Sequence, residues 1–312
     1  MEHRVDTARA SGRFREGLWR LTDPKISITS LAAALVGTAV AIRDGAFAPG
    51  WLLVGLLAMF AMEVAKNAWG EIFDFDTGVD QAVAPEDRTP FSGGKRVLVE
   101  NLLTRRQTWA IAIGFGAAGV ALGAAIVVLH APAALWVGVI GLALGWSYHG
   151  PPLRLVYRGL GELDVVLCYG PLLVQAAYVI QANRLSLDAL FASLPLGLLI
   201  AAFLVVNEFP DYRADVAAGK RNLVARLGRR RARWLLVAID AAAFGTLAVL
   251  PLVGELPGAV LAGSIGLPFA IRAARIVWLD PEGFHRTRPA QPAALLAFCA
   301  CALGTALGIG LG

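Results

Sequence analysis

Long apolar blocks separated by polar stretches set the pattern of this chain. Nine blocks, at residues 26–42, 51–73, 107–129, 132–149, 160–182, 187–209, 231–254, 257–278 and 292–311, reach or approach the roughly 20 apolar residues that a helix needs to cross a bilayer. Their connections are of two kinds. Residues 43–50, 130–131, 183–186 and 255–256 make tight turns, whereas 74–106, 150–159, 210–230 and 279–291 are longer and polar. The pattern predicts an all-α polytopic membrane protein: nine transmembrane helices around a central cavity. A polar N-terminal segment, 1–25, precedes a single domain over 26–312.

Composition agrees with this reading. Of 312 residues, 57% are hydrophobic and 16% charged, below the ~25% charged of a soluble domain. The 34 glycines suit helices that approach closely within a membrane. In such a chain the net charge of +5 bears on sidedness and does not indicate nucleic-acid binding. Arg4, Arg9, Arg13, Arg15, Arg20 and Lys25 precede the first block. More basic residues occupy the loops after the second and sixth blocks, while Arg43 and Arg184 stand alone on the opposite side. The positive-inside rule then puts the N-terminus and both of those loops in the cytoplasm. The expected location is the inner (cytoplasmic) membrane of a bacterial or archaeal cell. Cys168, Cys299 and Cys301 lie in apolar blocks and behave as small hydrophobes. His3, His130, His149 and His285 follow no zinc-ligand spacing.

Two acidic stretches stand out, one at the end of the second block and one at the end of the sixth. The first runs Asn67-Ala-Trp-Gly-Glu71-Ile-Phe-Asp74-Phe-Asp76-Thr-Gly78-Val-Asp80. The second runs Asn207-Glu208-Phe-Pro-Asp211-Tyr-Arg-Ala-Asp215-Val-Ala-Ala-Gly219-Lys220-Arg221. On a helix, Asn67, Glu71 and Asp74 share a face, as do Asn207, Asp211 and Asp215. Stacked carboxylates repel unless a positive charge lies among them, and at a membrane edge a bound cation serves. Mg²⁺ takes hard oxygen donors and bridges them to phosphates. The candidate metal ligands are therefore Asn67, Glu71, Asp74, Asp80, Asn207, Asp211 and Asp215, with Asp74 and Asp211 also candidate catalytic residues. Lys25, Arg88, Lys95, Arg96, Lys220 and Arg221 are candidates to neutralise a diphosphate. Asp76 and Glu208 point away from their rows.

Tyr148 and Tyr157 flank the Gly-Pro-Pro loop. Their ring faces could stabilise a carbocation or anchor the membrane interface. Glu63 and Lys66, one turn apart in the second block, could pair with each other. Asp164 and Asp240 also interrupt apolar blocks. Gly93-Gly94-Lys95-Arg96 could offer backbone N–H groups to a phosphate, and closure of the loop over 81–106 would exclude water from a reactive cation.

These stretches resemble those of the UbiA superfamily of intramembrane prenyltransferases, which carry two Asp-rich motifs after the second and sixth of nine helices. Asp211-x-x-x-Asp215 matches the second motif as it stands. In the first motif Glu71 replaces the commoner Asp. The resemblance covers nearly the whole chain. It implies a nine-helix fold, Mg²⁺ dependence and transfer of a polyprenyl group from polyprenyl diphosphate to an aromatic acceptor. Asp74-Phe-Asp-Thr-Gly78-Val-Asp80, Asp215-Val-Ala-Ala-Gly219-Lys220-Arg221 and Tyr148-His-Gly-Pro-Pro-Leu-Arg154 look like the menaquinone-pathway branch, whose acceptor is 1,4-dihydroxy-2-naphthoate. Other acceptors of the superfamily are 4-hydroxybenzoate, homogentisate, chlorophyllide and lipid headgroups. A cation-coupled secondary transporter is the rival of another class. Its ion sites would lie near the bilayer midplane, whereas these acids sit at helix ends.

Overall fold

An apolar segment without water must close its backbone hydrogen bonds internally, and every expected block is helical. The computed structural model describes residues 2–283 and 288–311, with side chains from Ser11 onward, so that His285 lies outside the described residues. The N-terminal segment forms α1 (Glu2–Thr22), and Asp23, with a left-handed backbone (φ 37), turns the chain into α2 (Pro24–Arg43). Then follow α3 (Pro49–Thr77), the short α4 (Val79–Ala82), α5 (Arg105–Leu129) and α6 (Ala134–His149). α7 (Gly161–Leu167) passes through a π-helical turn, Cys168–Leu172, into α8 (Leu173–Ala182). Next come α9 (Leu187–Ala217), the short α10 (Leu223–Leu227) and α11 (Arg229–Val249). A 3₁₀ stretch, Gly258–Gly266, leads into α12 (Leu267–Leu279), and α13 (Ala290–Leu311) closes the order.

Among the described residues, eight segments are long and apolar enough to cross a membrane. The first of them runs from Ser11 to Arg43, so the boundary expected at residue 25 falls beside a bend within it. The block expected at 132–149 is an apolar helix of 16 residues, short of the roughly 20 for a straight span. Proline limits it at both ends. Pro132 lies in the turn before it, and Pro151 and Pro152 follow directly after Gly150, where neither can supply a helical N–H.

α9 is the most buried of the spans and packs against α2, α7, α10, α11 and α13, while α3 packs along α5. Contacts are close where side chains are absent: a Cβ on Gly170 would stand 2.9 Å from Gly197 Cα, so the π turn meets α9 backbone to backbone. Outward-facing residues such as Ile113, Val128 and Trp136 are exposed and apolar, as a lipid-facing surface requires. At one end of the bundle Asp44 pairs with Arg43 and accepts from Tyr178 Oη at 2.6 Å. The acidic stretches lie at the other end. Between them α3, α5, α6, α7 and α8 enclose a cavity of about 600 Å³.

Candidate active site

The two acidic rows end their helices side by side. Gly78, with φ 81, terminates α3 in the left-handed conformation that glycine adopts freely. This turn lets α4 double back and buries Asp80. After α9 the chain turns at Gly219, the Lys220 N–H bonds to Asp215 O at 2.8 Å, and the Lys220 side chain folds inward. Its Nζ lies 3.3 Å from Asp74 Oδ2 and 4.0 Å from Asp215 Oδ1. One ammonium thus bridges the first acidic stretch to the second.

Each of these acids is further held. Tyr157 Oη donates to Asp74 Oδ1 at 2.7 Å and lies 2.7 Å from Thr77 Oγ1. His149 Nε2 stands 3.7 Å from Asp74 Oδ2. Asn222, the N-cap of α10, donates from Nδ2 to Asp215 Oδ2 at 2.7 Å. Other oxygens at this end are buried without a hydrogen bond: Asp80 Oδ2, Asn207 Oδ1, Asp211 Oδ1 and, apart from its 4.0 Å approach to Lys220, Asp215 Oδ1. Buried oxygens are normally hydrogen-bonded, because leaving one bare costs about 1–3 kcal/mol. Bare oxygens from both stretches therefore suit a hard cation. Among the described residues no three His, Cys, Asp or Glu side chains close into a metal cage. The donors fit Mg²⁺ in its other mode, held by one or two carboxylates and completed by water and substrate phosphate.

Electrostatics outside the spans reflect this crowding. Burial, reinforced by Glu71 and Asp74, pushes the Asp80 carboxyl up to about 9. Burial works to lower the Lys220 ammonium, but Asp74 and Asp215 outweigh it and hold the group well above the usual lysine range. Burial and the neighbouring Asp74 likewise raise the Tyr157 hydroxyl, which keeps it a donor.

Several predicted residues are placed elsewhere. Glu71 was expected among the metal ligands, but its carboxylate receives the backbone N–H groups of Lys95 (2.5 Å) and Arg96 (3.0 Å) on Oε1 and of Val97 (2.9 Å) on Oε2. It anchors the loop between α4 and α5. Asn67 donates to Leu21 O at 2.9 Å and ties α3 to α1. Lys25 Nζ bonds to Pro90 O at 2.6 Å, Lys95 pairs with Asp23, and Arg96 holds Glu100 (3.0 Å) and Asp80 O (3.0 Å). These three cations, expected on a diphosphate, fasten the loop instead. Arg221 is exposed, whereas Arg88 keeps a buried Nε without a partner. Of the six basic candidates, Lys220 is the one held between the two acidic rows. The loop crosses the ends of the helices: the Gly93 backbone lies beside the Asp211 carboxylate, and Gly94, with φ 74, leaves no room for a Cβ beside Asp80 Oδ1. Asp76 forms an exposed pair with Arg105, in keeping with its position off the row.

Tyr148 is buried, with its ring 5.0 Å beneath the Lys66 ammonium and edge-on to His149. Sequence reasoning passed over His149, Asn222 and Glu162. His149 stands out only beside Gly70, where a Cβ would come within 2.9 Å of its ring. Glu162 accepts from Leu223 N at 2.6 Å and fixes the segment that carries Lys220. Its neighbour Glu208 is buried with a bare Oε2. The Asn directly after Lys220-Arg221 was the available signal for a cap on the next helix.

Comparison with known proteins decides the family. The model of the UbiA prenyltransferase family matches residues 30–290. The chain belongs to the UbiA prenyltransferase family. Like its relatives, this UbiA protein is a prenyltransferase embedded in a membrane. It is 27% identical over 237 residues to a 1,4-dihydroxy-2-naphthoate octaprenyltransferase of Bacillus subtilis, covering 73% of this chain and 71% of that protein. It is 30% identical over 272 residues to a 2-carboxy-1,4-naphthoquinone phytyltransferase of Synechocystis, covering 86% and 83%. The fold matches a UbiA homologue from Archaeoglobus fulgidus bound to DMAPP and Mg²⁺, with a TM-score of 0.64 at 18% identity over 93% of this chain and 99% of that one.

Proposed function

We propose that this UbiA prenyltransferase moves a polyprenyl chain from polyprenyl diphosphate to 1,4-dihydroxy-2-naphthoate, in a Mg²⁺-dependent reaction at the cytoplasmic face of the cell membrane. The observation that carries the proposal is the Lys220 ammonium, held 3.3 Å from Asp74 and 4.0 Å from Asp215. This shared ammonium supports reading both acidic stretches as one site. The naphthoate acceptor rests on the names of the Bacillus and Synechocystis relatives, and the inward face on the distribution of Lys and Arg.

Asp74, Asp80, Asn207, Asp211 and Asp215 would supply the oxygen donors for the metal, which when bound would neutralise and orient the diphosphate. Lys220 adds a fixed positive charge where the leaving group gathers electrons. Tyr157 holds Asp74 in place. The loop anchored by Glu71 covers the helix ends and limits access of water. The apolar cavity beyond receives the prenyl tail. An acceptor ring carbon bonds to the allylic carbon as the C–O bond breaks. Diphosphate leaves with the electron pair, and the ring then releases a proton, or carbon dioxide from its carboxylated position.

The test is turnover of labelled polyprenyl diphosphate by the purified protein in lipid, with the naphthoate and Mg²⁺. Product formation that stops on chelation and returns with added Mg²⁺ is expected. No turnover with Mg²⁺ present, or turnover indifferent to chelation, contradicts the reading.

A further inference from the structure

A charged group stands in the cavity wall, apart from the acidic stretches. Lys66 immediately precedes Asn67 on α3, eight residues before Asp74, which sets it about 12 Å along the helix from that carboxylate. It lines the cavity together with Glu63, Trp69 and Asp164. The expected pairing of Lys66 with Glu63 is not what the structure holds. The Glu63 carboxylate receives the hydroxyls of Ser27, at 2.7 Å, and of Ser30. The Lys66 ammonium makes no hydrogen bond and no ion pair among the described residues; it lies 5.0 Å from the Tyr148 ring centre, and Asp164 and Glu63 act on it as opposite charges from beyond ion-pair reach. Asp164 faces the same cavity without reaching it, and its Oδ1 is buried without a partner.

An ammonium without a hydrogen bond in a largely apolar wall is costly, because an aromatic face returns only part of what is lost on removing an ion from water. Such a group makes sense when a ligand brings the directly bonded acceptor that Glu63 and Asp164 do not supply. The prenyl tail brings none, and an isoprenoid laid against Lys66 would only complete its desolvation. The acceptor of the proposed reaction does bring one. We infer that Lys66 binds the acidic substituent of the aromatic acceptor, with the Tyr148 ring alongside, and thereby selects carboxylated rings over uncharged ones. This inference rests on the prenyltransferase reading and assigns a specificity-determining residue that the acidic stretches do not contain. Loss of a hydrogen bond to a charged group costs about 1.5–3 kcal/mol, or roughly 10- to 100-fold in binding.

The test compares two acceptors, 1,4-dihydroxy-2-naphthoate and naphthalene-1,4-diol, which differ only in the carboxylate. Wild-type protein and the Lys66→Met and Lys66→Arg variants are assayed in lipid with saturating donor, and Mg²⁺-dependent donor binding is measured on the same samples. The wild type should favour the naphthoate. Lys66→Met should cut the ratio of kcat/KM for naphthoate over diol roughly 10- to 100-fold, mainly through the naphthoate KM, and Lys66→Arg should recover most of it. Equal losses on both acceptors with donor binding intact, or an unchanged ratio, would overturn the assignment of Lys66. Failure of the wild type to bind donor with Mg²⁺ would instead sink the prenyltransferase reading beneath it.

Discussion

α3 and α9 end in rows of the same design, an Asn followed by acids one turn apart, and the bundle treats the two rows differently. On α9, Asp211 keeps a buried oxygen without a hydrogen bond, and the buried Oδ1 of Asp215 meets only the Lys220 ammonium, at 4.0 Å. On α3, Glu71 gives both oxygens to three backbone N–H groups of the loop that follows, and Asp74 is held by Tyr157 and Lys220. α9 therefore ends in carboxylate oxygens that no hydrogen bond occupies, while α3 ends in one carboxylate held by Tyr157 and Lys220 and a second that anchors the following loop. Helical spacing puts side chains on a common face. Which of them stays free is decided by what folds against that face.

The largest effects should come from the carboxylates at the two helix ends. Asp211→Ala and Asp215→Ala are each expected to lower kcat by about 1,000-fold or more, because charge stabilisation at the leaving group is lost. Asp74→Ala should do the same, since it also frees Lys220. Near-normal turnover in any of them would separate the rows from the chemistry. Glu71→Ala should behave differently. Releasing the loop should raise the donor KM by about 100-fold, the cost of hydrogen bonds to a charged group, and open residues 83–104 to proteolysis, with a smaller change in kcat. A kcat collapse with the loop still protected would return Glu71 to the ligand set.

Asp80 gives a pH-dependent contrast between the rows. Its carboxyl is pushed up to about 9 by burial, Glu71 and Asp74, so at neutral pH it carries a proton that must leave before it can ligate a cation. Mg²⁺ affinity should rise with pH toward 9 and level off above it, and Asp80→Asn should flatten the rise. A flat profile in the wild type would remove Asp80 from the metal site. Tyr157→Phe should have the smallest effect, about 10-fold in kcat/KM, by removing one hydrogen bond to Asp74. No change at all would mean that Lys220 positions Asp74 unaided.

Much of this molecule was legible in the chain. Apolar blocks of nearly membrane length gave the helices, because a segment of that composition has no other way to satisfy its backbone in lipid. The paired acids pointed to two helix ends that the Lys220 ammonium joins, because carboxylates at such spacing call for a positive charge between them. Three things were not legible. The short α6 depends on where Pro151 and Pro152 stop a helix that hydropathy alone would continue. The work of Lys25, Lys95 and Arg96 depends on how the loop lies against Asp23, Pro90 and Asp80 O, and a basic residue near an acidic motif reads the same whether it binds substrate or protein. Lys66 and Glu63 looked like a pair at helical spacing until Ser27 and Ser30, on another helix, took the carboxylate.

The central claim is that the ends of α3 and α9 grip one metal–diphosphate unit together. It is tested most directly by Mn²⁺ titration, followed by electron paramagnetic resonance, in the presence of an unreactive prenyl diphosphate analogue. The wild type, Asp74→Asn, Asp215→Asn and the double variant complete the cycle. Each single variant should lose most of the Mn²⁺ affinity, and the double should lose little more than the worse single, as residues of one unit do. Losses that simply add, or a single variant that binds Mn²⁺ like the wild type, would mean that the two rows serve separate sites.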